Sequence, residues 1–160
     1  MASKFILYLS VEGVLVPQER HLPTRVSNRP LADTPHAIRL DAMLSERASV
    51  NIVINSAWVP VSGFRGVLNM LPAALRLRVI GATVPGNRLL RHYRADAVSK
   101  STWLSSDVNR RDPEQLAVLD SDSRNVPVPL RDRAVVVSEG LWAATHDDWS
   151  RLRHMLACDE

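Results

Sequence analysis

Three short clusters in this sequence set hydroxyls and carboxylates directly behind apolar runs. Ser10-Val11-Glu12-Gly13 follows Phe5–Leu9, Asn55-Ser56-Ala57-Trp58 follows Val50–Ile54, and Asp120-Ser121-Asp122-Ser123 follows Ala117–Leu119. A serine hydroxyl is neutral near pH 7 and needs a base to become a useful nucleophile, whereas a carboxylate is already anionic. Each cluster also has an ordinary reading. Residues 10–13 can be a strand end with a glycine turn, Asn55 and Ser56 can cap a turn, and residues 120–123 can be a solvated loop. Joint placement at the ends of three strands is what favours a site. The five histidines show no metal-ligand spacing, and with one cysteine, Cys158, a zinc site is not expected. No glycine-rich phosphate loop, dinucleotide fingerprint or Ser-His-Asp signature is present.

Elements must hold those clusters. Apolar runs at Phe5–Leu9, Val50–Ile54, Leu77–Ile80, Ala117–Leu119 and Ala134–Val137 are nearly continuous rather than alternating, as in strands covered on both faces of a parallel sheet. Helical patterns lie between them. Thr34-Pro35 is a helix start with proline at the first helical position, and an apolar face continues through Arg47. Phe64, Val67, Leu68 and Leu71 repeat at helical spacing until Pro72. Asn87 opens a third pattern that runs towards Trp103. Thr145-His-Asp-Asp148 resembles a capping box ahead of Trp149, Leu152 and Leu156. Strands alternating with helices predict a three-layer α/β/α, Rossmann-like sandwich with a mostly parallel sheet of about five strands. The whole of 1–160 reads as one domain, with a long, proline-bearing loop over 11–33. In such a sheet, ligands bind beyond the carboxyl ends of the strands. Residues 10, 12, 56, 120 and 122 are therefore expected to converge at one rim.

Composition limits the setting. The 46% hydrophobic content suits a water-soluble globular chain, and no apolar run approaches the ~20 residues that span a bilayer. Phe5–Leu9 is too short for a signal-peptide core. The single cysteine excludes an internal disulfide, so a cytoplasmic location and no membrane partner are expected. The net charge is only +3, yet between Glu46 and Asp96 there are seven arginines and no acidic residue. A basic face of that kind favours phosphate-bearing partners; arginines scattered over several elements are the plainer alternative.

The ordered pieces resemble a known family. Phe5-Ile-Leu-Tyr-Leu-Ser-Val-Glu-Gly-Val-Leu-Val-Pro17 is similar to motif I of the haloacid dehalogenase (HAD) phosphatases, a strand followed by Asp-x-Asp-Gly. Ile52-Val-Ile-Asn-Ser56-Ala-Trp58 resembles motif II, in the Ser-x-Trp form of the small HAD domains of Swiss-army-knife RNA repair proteins. Gly81-Ala-Thr83, Arg94-Ala-Asp-Ala-Val98 with Trp103-Leu104, Leu119-Asp-Ser-Asp122 and Glu139-Gly-Leu141 follow in the family's order. The resemblance implies a strand order of 5-4-1-2-3, a minimal cap and a Mg²⁺-dependent phosphotransfer site.

Carried over residue by residue, the resemblance puts Ser10 at the nucleophile position and Glu12 at the acid/base position, one methylene longer than the usual aspartate. Ser56 stands at the phosphate-binding hydroxyl. Arg94 is the better match to the phosphate-binding cation, with Lys100 as its competitor. Asp120 and Asp122 stand at the metal carboxylates, two hard oxygen ligands that suit Mg²⁺. The pattern departs at Ser10, which removes an anionic nucleophile and a metal ligand. Weak or absent Mg²⁺ binding is then expected, and loss of a nucleophile costs on the order of 10⁴–10⁶ in rate. Glu12 is a carboxylate that in principle could serve as base for Ser10, but a working serine-based phosphatase is not the expectation. The expectation is a degenerate HAD-like phosphohydrolase domain that keeps a phosphate- and Mg²⁺-binding cleft with a binding or regulatory role. The alternatives are an active phosphohydrolase or phosphotransferase on a nucleotide, an RNA end or a small phosphoester, and a plain domain for a protein partner.

Overall fold

The computed structural model describes residues 5–18, 34–84 and 99–157. Five strands, β1 (Phe5–Leu9), β2 (Val50–Ile54), β3 (Val79–Ala82), β4 (Gln115–Asp120) and β5 (Ala134–Val136), form one sheet in the order β3-β2-β1-β4-β5. Every pairing is parallel. Read from its other edge this is the order 5-4-1-2-3, and the architecture is the α/β/α sandwich that the continuous apolar runs predict.

β1 is central and explains the layering. Its five residues are all buried, and alternate side chains enter different layers. Phe5, Leu7 and Leu9 join Ile52, Ile54, Leu40, Leu44, Val67, Leu71, Trp149 and Leu152 in the larger cluster. Ile6 and Tyr8 join Val53, Leu104, Val118, Val126 and Ala134 in the smaller one. The larger cluster draws on α1 (Pro35–Ser45), α2 (Val59–Met70) and α5 (His146–Leu156); the smaller draws on α4 (Lys100–Arg111).

Local chemistry fixes the helix ends. The Thr34 hydroxyl accepts the Ala37 N–H with Pro35 in the first turn. At α5 the Thr145 and Asp148 side chains cap each other's backbone in the reciprocal arrangement. α2 carries a kink at Gly63, whose φ of 77° is closed to most side chains; the regular helix beyond it starts at Phe64, where the apolar spacing begins.

Two elements differ from the sequence expectation. β3 begins at Val79 rather than Leu77, because Leu77 closes the short helix α3 (Ala73–Arg76) and is 89% exposed. The third helical pattern, expected to run towards Trp103, is seen as α4 from Lys100, capped by the Ser99 hydroxyl and extending to Arg111. Its start at Asn87 lies outside the described residues. Of the 11–33 loop, the described part turns tightly: Gly13 N–H donates to the Val16 carbonyl at 2.7 Å, and Val11, Val14 and Leu15 are buried in the larger cluster. No helix among the described residues is long and apolar enough to cross a membrane.

Candidate functional site

β1, β2 and β4 lie side by side in register, with Leu9 beside both Ile54 and Leu119. The residues that follow them therefore emerge at one rim. Ser10, Glu12, Ser56 and Asp120 are all buried there, between 0% and 5% exposed. Gly13 permits the approach. Its φ is +76°, and a methyl group at that position would overlap the Ser121 side chain.

Glu12 is the hub. Its Oε2 accepts the Ser56 hydroxyl at 2.6 Å, and its Oε1 accepts the Ala57 N–H at 2.9 Å and the Lys100 ammonium at 3.1 Å. The Ser56 Oγ in turn accepts the Trp58 N–H at 3.1 Å, which orients the hydroxyl as a donor towards Glu12. Two further segments thus converge on the carboxylate carried at the end of β1: the turn between β2 and α2, and the first residue of α4.

Ser10 is arranged differently from a nucleophile. Its hydroxyl donates to the main-chain carbonyl of Glu12 at 3.1 Å and accepts from Lys100 Nζ at 2.8 Å. Lys100 is a donor with no acceptor capacity in its charged form, and the Glu12 carboxylate is held by Ser56 and Ala57. Neither group is placed to take the Ser10 proton.

Asp120 is buried and held on one side. Its Oδ1 accepts the Ser121 and Asp122 N–H groups and the Asn125 amide at 2.7–3.0 Å. Its Oδ2 is buried without a hydrogen bond and lies 3.2 Å from Lys100 Nζ, an ion pair whose angles do not make a hydrogen bond. Asp122 turns the other way. Its carboxylate engages the exposed Arg124 guanidinium and caps the turn at Ser123–Asn125, and those bonds hold its carboxyl below the usual range. Arg94 lies outside the described residues; of the two candidate cations, Lys100 is the one seen in the cleft, 10% exposed.

Glu12, Gln18, Ala57, Trp58, Lys100, Ser121, Asp122 and Asn125 line a cleft of about 240 Å³ at this rim. HAD domains generally use Mg²⁺, but as arranged here the cleft does not fit that ion. Ser10, expected at the nucleophile position, offers a hydroxyl instead of a carboxylate, Asp122 is committed to Arg124, and the free Oδ2 of Asp120 faces an ammonium. No group of three or more His, Cys, Asp or Glu placed to hold a metal occurs among the described residues. What the arrangement does offer is a set of donors suited to an anion: one hydroxyl, one backbone N–H and one ammonium.

Some of these partners leave no trace in residue type. Ala57 acts through its backbone, and Asn125 sits in a loop of common turn residues. Asn55, read as a possible cap, instead accepts the Thr83 hydroxyl at 2.9 Å and ties β2 to the end of β3. Neither a curated protein nor a solved structure matches the chain. The family model described as the HAD domain in Swiss Army Knife RNA repair proteins matches residues 6–145, from β1 to the cap of α5. With nearly the whole chain covered and the motif-bearing strand ends gathered at one rim, the chain belongs to this family of HAD domains.

Proposed function

We propose that this HAD phosphohydrolase-type domain lacks ordinary phosphatase turnover and works by binding a phosphate-bearing ligand, a nucleotide or RNA end in the first instance, at the rim cleft. One observation carries the reading. The Ser10 hydroxyl, at the position of the family's nucleophile, gives its proton to a main-chain carbonyl and receives a second hydrogen bond from Lys100. An attacking serine needs its proton passed to a base as the new bond to phosphorus forms. A peptide carbonyl cannot accept it and an ammonium has no room for it. The family name supports RNA as the ligand class, and the anion-seeking donors Ser56, Ala57 N–H and Lys100 support phosphate as the group recognised.

Hydrolysis of p-nitrophenyl phosphate tests this. The wild-type chain is expected to show no turnover above background with or without Mg²⁺, and Ser10→Asp, which restores an anionic carboxylate, is expected to show a gain. The missing nucleophile corresponds to about 10⁴–10⁶ in rate. Turnover by the wild-type chain at a rate comparable to Ser10→Asp overturns the reading. Absence of any phosphate or nucleotide binding, even after the opening of the cleft described next, would leave a plain protein-interaction domain.

A further inference from the structure

We infer that Glu12 is a built-in occupant of the anion seat: its carboxylate fills the place that a phosphoryl group would take, and phosphate-bearing ligands enter only by displacing it. The inference rests on the reading of this cleft as a phosphate-ligand site and adds how access to it is controlled.

The geometry is that of a bound anion. Glu12 Oε2 meets the Ser56 hydroxyl at 2.6 Å, and Oε1 meets both the Ala57 N–H and Lys100 Nζ. These are three donors of three kinds, two from adjacent residues of the turn after β2 and one from α4, 44 to 88 residues away in sequence, and each directs its hydrogen at the same carboxylate. Donors gathered from separate elements onto a single negative group make a receptor for an anion rather than a local cap. The glutamate side chain has one methylene more than aspartate, which lets a residue at the end of β1 reach the turn after β2. The side chain is 6% exposed, so the carboxylate fills the seat where it meets the cleft.

A filled seat lowers apparent affinity by the fraction of time it is open. Removing the carboxylate should therefore unmask phosphate binding without adding any contact. The probe is inorganic phosphate, followed through the Ala57 amide resonance in the 160-residue chain. In wild type that resonance is expected to stay in place through tens of millimolar phosphate. In Glu12→Ala it is expected to move with an affinity at least about tenfold higher, as the population argument requires. In Glu12→Ala with Lys100→Met the gain should disappear, which locates the phosphate on this seat.

Glu12→Gln serves as a second arm if Glu12→Ala does not fold. It keeps the volume but removes the charge, and a smaller gain is expected. Equal affinity in wild type and a folded Glu12 variant, or no binding in either, overturns the inference. The two failures are distinguishable: wild-type p-nitrophenyl phosphate turnover, or no phosphate binding in any folded form, defeats the functional reading, whereas equal phosphate affinity in wild type and a folded Glu12 variant defeats this inference alone.

Discussion

Glu12 and Asp107 are both buried carboxylates, 5% and 2% exposed, and the molecule answers them in different ways. Asp107 sits inside α4 and is paired with Arg110 and Arg111, three and four residues on along the same helix. The Arg111 guanidinium runs over to β3, where a methyl group on Gly81 would overlap it. This is a local device: one helix neutralises its own buried charge and rests the result on the sheet edge. Glu12 takes nothing from its own neighbourhood. Every group that meets its carboxylate comes from another element. A charge solved locally serves the fold wherever it lies, whereas a charge solved by two other segments requires those segments to be held open towards it. Burying a charge is costly unless it is paired and hydrogen-bonded, and both residues meet that condition. Only the Glu12 solution also builds a seat that another anion can use.

The strongest way to break this contrast is to remove the cation on the cleft side. Lys100→Met leaves the buried carboxylates of Glu12 and Asp120 without their shared ammonium. Breaking a buried pair from one side destabilises by about 3 kcal/mol or more. Urea unfolding should show a midpoint well below that of wild type with an unchanged slope. A midpoint within error of wild type would mean that Lys100 is not the counter-charge of the cleft. Asp107→Asn probes the other side. It removes the negative charge and one of the two acceptor oxygens that meet Arg110 and Arg111, and the Arg110 side chain is 64% exposed and free to turn to water, so a smaller loss of about 1–2 kcal/mol is expected. Phosphate titration of Glu12→Ala should be the same with and without Asp107→Asn. If Asp107→Asn altered that titration, α4 would couple the two carboxylates and the contrast between a local and a convergent solution would fail.

The same contrast explains what the sequence could show. The ends of β1, β2 and β4 were legible because continuous apolar runs mark two-sided strands and the chemistry follows directly behind them. Thr34-Pro35 and Thr145 with Asp148 were legible because caps are local. The direction of the Glu12 side chain was not, since it depends on partners 44 to 88 residues away. Arg94 is the better match by its setting in the sequence, and only the packing of α4 against the rim shows the Lys100 ammonium between Glu12, Ser10 and Asp120. α4 itself has a weak signature: Leu104 and Asp107 are its buried residues, and a buried aspartate reads in sequence as a surface one. Leu77 misleads in the opposite sense, an apolar residue that ends a helix in solvent.

Tyr8 gives the gentlest test, and it acts through pH. Its side chain points from β1 into the smaller core cluster, on the α4 side. Burial first, then the negative charge of Asp107 and the approach of the phenol to that carboxylate as a hydrogen-bond donor, hold its phenol well above the ordinary value of 10.0, with Arg111 and Arg110 pulling more weakly the other way. The hydroxyl is buried and turned towards Asp107 without forming a hydrogen bond of full geometry. Below pH 10 the phenol is protonated in both folded and unfolded chains and contributes no pH dependence. Above pH 10 the unfolded chain loses the proton while the folded chain keeps it, so the unfolded state is favoured and stability falls as pH rises. Tyr8→Phe removes that proton. At neutral pH the variant should be within about 1 kcal/mol of wild type, because the hydroxyl it deletes makes no hydrogen bond of full geometry. Between pH 10 and 11 its melting temperature should fall less steeply than that of wild type. Parallel curves for the two proteins would show that the Tyr8 phenol ionises as freely in the fold as in water, and that Asp107 exerts no influence beyond its own helix.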